Sequence, residues 1–348
     1  MKKRLLSFIL PFLLVAIFVS SFCSCEQKVK HTTERFDCFD TFSTFTSYCD
    51  RQQFIFYTTE FDSILTDYHQ LFDIYNSYDG LVNLKILNEQ AVSSPIAVSQ
   101  ELFDALKLGK ELYDTTCGKC NVAIGALTSI WHDARAASNK ATENAYIPSQ
   151  EAINEALSHT DINSLILDEE KRTVFYSDPK LSLDLGAIAK GYVASVLYER
   201  FTELECDNFL INLGGNVVSH GVKPQNEPWL IKIENPFEDK SLGYNEVVKL
   251  ADTTVVTSGS YQRYFTYNEK KYSHIIDTSS GYPADVFTSV SIQAPSDSSA
   301  LADALSTALF CMSYDEGLSL AEKLENVEVL WIFKDGSYKA TSNFGGSK

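Results

Sequence analysis

Between Thr257 and Pro283 the chain has to double back on itself, and this requirement constrains its fold more than any other stretch does. Tyr261, Arg263, Phe265 and Tyr267 alternate with Gln262, Tyr264 and Thr266 at the period of a strand, and Asn268-Glu269-Lys270 follows with the chemistry of a turn. A second strand then carries Tyr272, His274 and Ile276 on one face. It ends in Asp277-Thr278-Ser279-Ser280-Gly281-Tyr282-Pro283, where glycine and proline force the chain to turn. Strands this close in sequence pair antiparallel. Upstream, Thr257-Ser258-Gly259-Ser260 brings hydroxyls and bare backbone together, a composition suited to a phosphate or another polar ligand. His274 has two readings here, a satisfied histidine of a polar hairpin or a functional group.

The rest of the chain fits that start. Phe39 to Tyr48 alternates aromatic and hydroxyl residues as a half-buried strand, and Phe61, Ile64, Leu65, Tyr68, Leu71 and Phe72 follow helical spacing. Ser99 caps a helix through about Tyr113, Ser149 caps another, and Leu165–Leu167 with Thr173–Tyr176 forms a hairpin. The apolar run Val122–Leu127 is interrupted by Gly125, which predicts a close backbone approach. Leu181–Asp184 reads as a strand that breaks at Gly186 into a helix with Lys190 in its first turn. Such a junction aims free amides at a ligand, and a lysine there suits an anion. Phe209–Leu213 and Trp229–Glu234 are further strands, and Ser298 or Ser299 caps a helix through about Met312. Many strands, a few helices and no regular βα alternation predict an α+β fold of mixed, mainly antiparallel sheets.

The N-terminus reads as a targeting segment. Lys2, Lys3 and Arg4 lead an apolar run from Leu5 to Val19, and Phe22-Cys23-Ser24-Cys25 resembles a bacterial lipobox with a small residue before Cys25. The expectation is a signal peptide over 1–24, a lipid on Cys25, a polar tether over 25–35 and a catalytic domain over 36–348, outside the cytoplasm and anchored to a bacterial membrane. An uncleaved anchor helix is the alternative. Formal charge is −17, more negative still without the three leader cations, which argues against nucleic acid as a partner. An acidic chain that holds a phosphate has to use backbone amides, a metal ion or a locally placed lysine. Cys38, Cys49, Cys117, Cys120, Cys206 and Cys311 are sparse for a disulfide framework, and Cys117-Gly118-Lys119-Cys120 lacks the strand-helix context of a redox pair.

No zinc spacing, nucleophile elbow or P-loop is present, so the chemistry falls to oxygen ligands. Asp303 and Thr307, four apart on a helix, can hold a hard cation with a backbone carbonyl, and magnesium then fits a phosphate substrate.

Asp184-Leu185-Gly186-Ala187-Ile188-Ala189-Lys190-Gly191-Tyr192, Asn212-Leu213-Gly214-Gly215-Asn216, Thr257-Ser258-Gly259-Ser260-Tyr261, His274-Ile275-Ile276-Asp277 with Gly281-Tyr282-Pro283, and Ala302-Asp303-Ala304 with Thr307 resemble, in unbroken order, the ApbE family of FAD:protein FMN transferases. The resemblance runs from about Phe36 to the C-terminus and implies an ApbE-like, T-fold-related domain. It implies an enzyme that cuts the pyrophosphate of FAD with a divalent cation, links FMN to a threonine or serine of an acceptor protein and releases AMP. Carried over residue by residue, Ala187, Asp303 and Thr307 would ligate Mg²⁺. Phe39, Tyr75, Asp184, Lys190, His274 and Ile275 would line the FAD site, and Lys119-Cys120-Asn121 stands where relatives have Ala-Phe-Asp. The acceptor would be a membrane or extracytoplasmic electron-transfer protein. His274 serves as general base or as FAD binder on this reading. A metal-dependent FAD pyrophosphatase and a non-catalytic FAD-binding lipoprotein are the alternatives.

Cys25→Ser is expected to release the protein from membranes while Cys23→Ser leaves it attached. Fractionation of cells carrying each variant decides it, and a Cys25→Ser protein still in the membrane fraction refutes the lipid anchor.

Overall fold

The structure is a computed structural model that describes residues 28–346, so the targeting segment and Cys25 lie outside the described residues. Strand β1 (Val29–Arg35) leads into β2 (Ser43–Cys49), and helix α1 (Arg51–Phe72) follows. Next come α2 (Leu84–Gln90), β3 (Ile96–Ala97), α3 (Gln100–Thr115), α4 (Gly125–Lys140) and α5 (Gln150–Leu157). The hairpin β4 (Leu165–Asp168) and β5 (Thr173–Tyr176) precedes α6 (Ala189–Glu203). A second run of strands is β6 (Phe209–Leu213), β7 (Asn216–His220), β8 (Trp229–Lys232), β9 (Val247–Leu250), β10 (Thr253–Gly259), β11 (Tyr264–Tyr267), β12 (Lys270–Ser273) and β13 (Phe287–Pro295). Helices α7 (Ser299–Phe310) and α8 (Tyr314–Ala321) and strands β14 (Glu328–Phe333) and β15 (Tyr338–Ala340) close the chain.

The main sheet runs β1-β2-β6-β7-β10-β13-β14-β15, and every pairing among the described strands is antiparallel. Its strands alternate as a sheet covered by helices must: Phe45, Phe209, Ile211 and Leu213 are fully buried, with Phe45 stacked on Phe201 of α6 at 4.6 Å between ring centroids. The α+β expectation therefore holds.

Helix α1 begins ten residues before the apolar stripe that predicts it, at a capping box in which Asp50 accepts from Gln53 N and Gln53 reaches back to Asp50 N. Ser99 and Ser149 cap α3 and α5 as expected. The tether expected over 25–35 is shorter, because Val29–Arg35 pairs with β2 along its whole length and is an edge strand of the main sheet. Leu181–Leu185 forms no strand, Phe39 and Asp40 lie in a left-handed turn ahead of β2, and His274 falls just beyond the end of β12.

Two close approaches fix the helices. Gly125 N–H donates to Ser182 O at 2.8 Å, and a Cβ on Gly125 would stand 2.6 Å from that oxygen, as its position in the apolar run predicts. Gly191, in the first turn of α6, lies so near α7 that a Cβ would meet Asp303 Cβ and Ser299 O at 2.5 Å.

Gly191→Ala is expected to push α6 off α7 and cost about 1–3 kcal/mol, a fall in Tm of about 2–4 °C per kcal/mol. Thermal unfolding measures it, and an unchanged Tm would mean that the helices part without strain.

Candidate active site

A cleft of about 1560 Å³ opens where the ends of these elements meet, and it gathers the separate sequence motifs. The turn before β2 contributes Phe39 and Asp40, and the segment after α1 contributes Asp73 and Tyr75. Asp184, Ala187 and Lys190 enter from the start of α6, Asn212 and Gly214 from the β6–β7 turn, Thr257 and Ser258 from the end of β10. His274 and Ile275 follow β12, and Asp303 with Thr307 lines the cleft from α7.

At the floor an orphan amide of a helix start finds a side-chain acceptor. Gly191 N–H lies in the first turn of α6, where amides have no partner within the helix, and it donates to Asp303 Oδ2 at 2.7 Å. The Ala187 carbonyl, ahead of the helix, receives no backbone donor among the described residues. Asp303 is buried, which its helical spacing with Thr307 does not reveal. Burial pushes its carboxyl above the ordinary carboxylate range, against the pull of Lys190, Gly191 N–H and Asn216. Asn216 lies close enough to favour the charged form, yet its buried Nδ2 makes no hydrogen bond. The Thr307 hydroxyl makes none among the described residues. A buried carboxylate short of partners, a carbonyl without a backbone donor and a free hydroxyl lining one cleft form the oxygen donor set of a hard cation, so these residues fit one.

His274 Nδ1 lies 3.1 Å from Arg263 O, so its ring donates there and leaves Nε2 as an acceptor. The residue is exposed to the cleft, whose walls surround its ring. Desolvation by those walls lowers its pKa to about 4 with help from the Arg263, Lys190 and Arg135 cations, and the Arg263 carbonyl opposes the shift. The imidazole is therefore neutral near pH 7. Asp184 is a brace as much as a wall: Oδ1 accepts from Gly186 N at 2.8 Å and Oδ2 from Thr128 Oγ1 at 2.9 Å. Tyr75 is 60% exposed, its ring 5.5 Å from that of His132, and its N–H is held by Asp73. Phe39 N–H donates to His69 Nδ1 at 3.3 Å.

The segment Lys119-Cys120-Asn121 behaves differently at each position. Lys119 reaches the cleft but is tied to Asp277 at 2.8 Å and Ser279 at 2.7 Å. Asn121 lines the wall while donating to Thr160 O and accepting from Ala123 N. Cys120 does not line the cleft: its thiol is 1% exposed in the main core, where burial raises its pKa. Cys117 is exposed and both are free thiols, so no bridge forms across the pair.

Helix α4 was not legible as a helix, and its cleft residues were missed with it. Thr128, His132 and Arg135 recur at the four- and three-residue steps of one helical face, a signal that the apolar run before them obscures. Trp131 on the same helix donates to Gly281 O at 2.8 Å and stacks on Tyr272, and so props the β11–β12 hairpin that carries His274. Arg263, read only as a strand residue, clamps the left-handed turn through Asp40 O at 2.8 Å.

Residues 39–331 match the model of the ApbE family. A Treponema pallidum protein named FAD:protein FMN transferase is 33% identical over 74% of this chain and 73% of its own length. A Klebsiella pneumoniae protein of the same name is 31% identical over 72% and 74%. Among solved structures, the ApbE protein of Thermotoga maritima superposes with a TM-score of 0.80 at 24% identity, over 92% of this chain and all of that one. Flavin transferase ApbE from Vibrio cholerae gives 0.72 at 24% identity, over 90% and 97%.

If the neutral His274 is the working form, its protonation removes activity only as pH falls through about 4, not through the ~6.5 of free imidazole. kcat/KM is therefore expected to be flat with respect to this group from about pH 5.5 upward. A pH profile checks it, and an acid limb near pH 6.5 that vanishes in His274→Asn would contradict it.

Proposed function

The chain belongs to the ApbE family and is an FAD:protein FMN transferase, and from this premise we propose a magnesium-dependent reaction that ends on a threonine or serine of an acceptor protein. The observation that most supports the metal is the buried Asp303 carboxylate lining the cleft together with the Ala187 carbonyl, which receives no backbone donor among the described residues. Ala187 O, Asp303 and Thr307 would hold Mg²⁺, which supplies charge neutralisation to a pyrophosphate.

The chain's own residues account for the rest. Lys190, free of any ion pair among the described residues, and Arg135 favour phosphate oxygens in the cleft of an otherwise acidic protein. Asp184 holds the backbone turn at Gly186 so that the start of α6 faces the cleft, and Phe39 and Tyr75 offer aromatic surface for the flavin. The acceptor hydroxyl oxygen attacks the FMN phosphorus in line, its proton passes to His274 Nε2, and the P–O bond to the AMP phosphate breaks. AMP leaves and FMN stays on the acceptor as a phosphoester. Lipidation of Cys25 and a place outside the cytoplasm, on the membrane, belong to the same proposal and are supported by the lipobox-like leader.

The test incubates the protein, FAD and Mg²⁺ with extracytoplasmic proteins of a strain lacking the gene and reads masses. An FMN increment on a threonine or serine is expected. AMP with free FMN alone would mean hydrolysis, and neither product would mean binding without turnover. Asp303→Asn keeps an acceptor for Gly191 N–H and removes the charge, so Tm is expected to stay within a few degrees while turnover falls by about a hundredfold or more. Thr307→Ala is expected to be milder, because water replaces a neutral ligand. Undiminished turnover of Asp303→Asn at limiting Mg²⁺ would place the metal elsewhere.

A further inference from the structure

Phe36 is 70% exposed, more than any other large apolar residue among those described, and Phe42 is 41% exposed. Their rings meet at 4.8 Å between centroids. Single exposed apolar residues are ordinary on a protein surface, but two aromatics packed on each other in water are not. Their place in the chain is informative: they bracket a turn of which Asp37, Phe39, Asp40 and Thr41 line the cleft. The pair therefore stands on the cleft's rim.

The turn is rigid. Phe39 and Asp40 have φ of 56° and 50°, a conformation held by Arg263 on Asp40 O at 2.8 Å and by His69 on Phe39 N–H at 3.3 Å. On the other side, Arg35 binds Asp37 at 2.7 Å and Asp62 at 3.0 Å. A surface already ordered loses little entropy when a partner covers it, and buried aromatics carry a large share of binding energy in protein interfaces.

We propose that the Phe36–Phe42 pair is the docking point for the acceptor protein, which seats apolar side chains flanking its threonine or serine on these rings as the hydroxyl enters the cleft. This rests on the transferase reading above. A protein whose hydroxyl reaches His274 has to cover the rim, where this pair already exposes two packed rings. Neither ring lines the cleft, so FAD held in the cleft would not need the pair.

The probe is a library of short peptides displayed on a carrier domain, each with one central threonine and randomised neighbours, treated with full-length protein, FAD and Mg²⁺. FMN-bearing members are expected to be enriched in apolar residues beside the threonine. Phe36→Ser with Phe42→Ser is expected to erase that enrichment and lower kcat/KM for a selected peptide about tenfold, with Kd for FAD and Tm unchanged. Phe36→Leu is expected to retain most of it. Equal enrichment in wild type and double variant overturns the proposal, as does a matching loss of FAD affinity, which would assign the pair to the flavin site. A wild type that modifies no peptide overturns the transferase reading and this docking point with it.

Discussion

The hydrogen bond from Gly191 N–H to Asp303 Oδ2 is the contact on which the site depends. It joins α6 to α7 at a separation that only glycine permits, and it orients a carboxylate whose burial would otherwise be costly. The Ala187 carbonyl just ahead of α6 receives no backbone donor among the described residues, so the contact between the helices and the candidate oxygen ligands share one place. The sheet behind it, with Ser258 on Ser306 at 2.7 Å, keeps α7 in register.

The electrostatic problem posed by the composition is solved locally. A chain with a formal charge of −17 repels a pyrophosphate at long range, yet Lys190, Arg135 and Arg263 converge where His274 and Asp303 sit. Desolvation by the cleft walls lowers the pKa of the imidazole and those cations lower it further, so the charges that favour an anion also favour a neutral base.

Much of this was legible in the residues. Period-two alternation, glycine turns and serine caps carry local information, and the β11–β12 hairpin, the capped α3 and α5 and the close approach of Gly125 follow from them. Of the residues singled out for the site, Phe39, Tyr75, Lys119, Asn121, Asp184, Ala187, Lys190, His274, Ile275, Asp303 and Thr307 line one cleft, and Cys120 does not. Its neighbours Lys119 and Asn121 reach the cleft, but its own thiol turns into the core, and which way one residue in a turn faces is a tertiary outcome. The burial of Asp303 was illegible for a similar reason: spacing on a helix says which residues share a face and not what covers it. Helix α4 and the strand character of Val29–Arg35 were hidden because a glycine-interrupted apolar run and a polar stretch are locally ambiguous. The first is settled by packing of Trp131 and the second by pairing with β2.

The first hairpin and α1 set a length scale. Val29 pairs with Cys49 at one end of the sheet, and Arg35 pairs with Ser43 at the other, beside the cleft-lining turn. Helix α1 runs the same way, from Arg51 near the entry of the chain to Phe72 on the cleft wall, and its 22 residues span about 33 Å. Whatever is attached upstream of Lys28 therefore joins the body at the pole opposite the chemistry. A fluorophore on a cysteine introduced at Lys28 would be separated from the cleft-lining turn by the seven residues of β1, about 23 Å of strand, and would report rotation of the whole body more than events in the cleft.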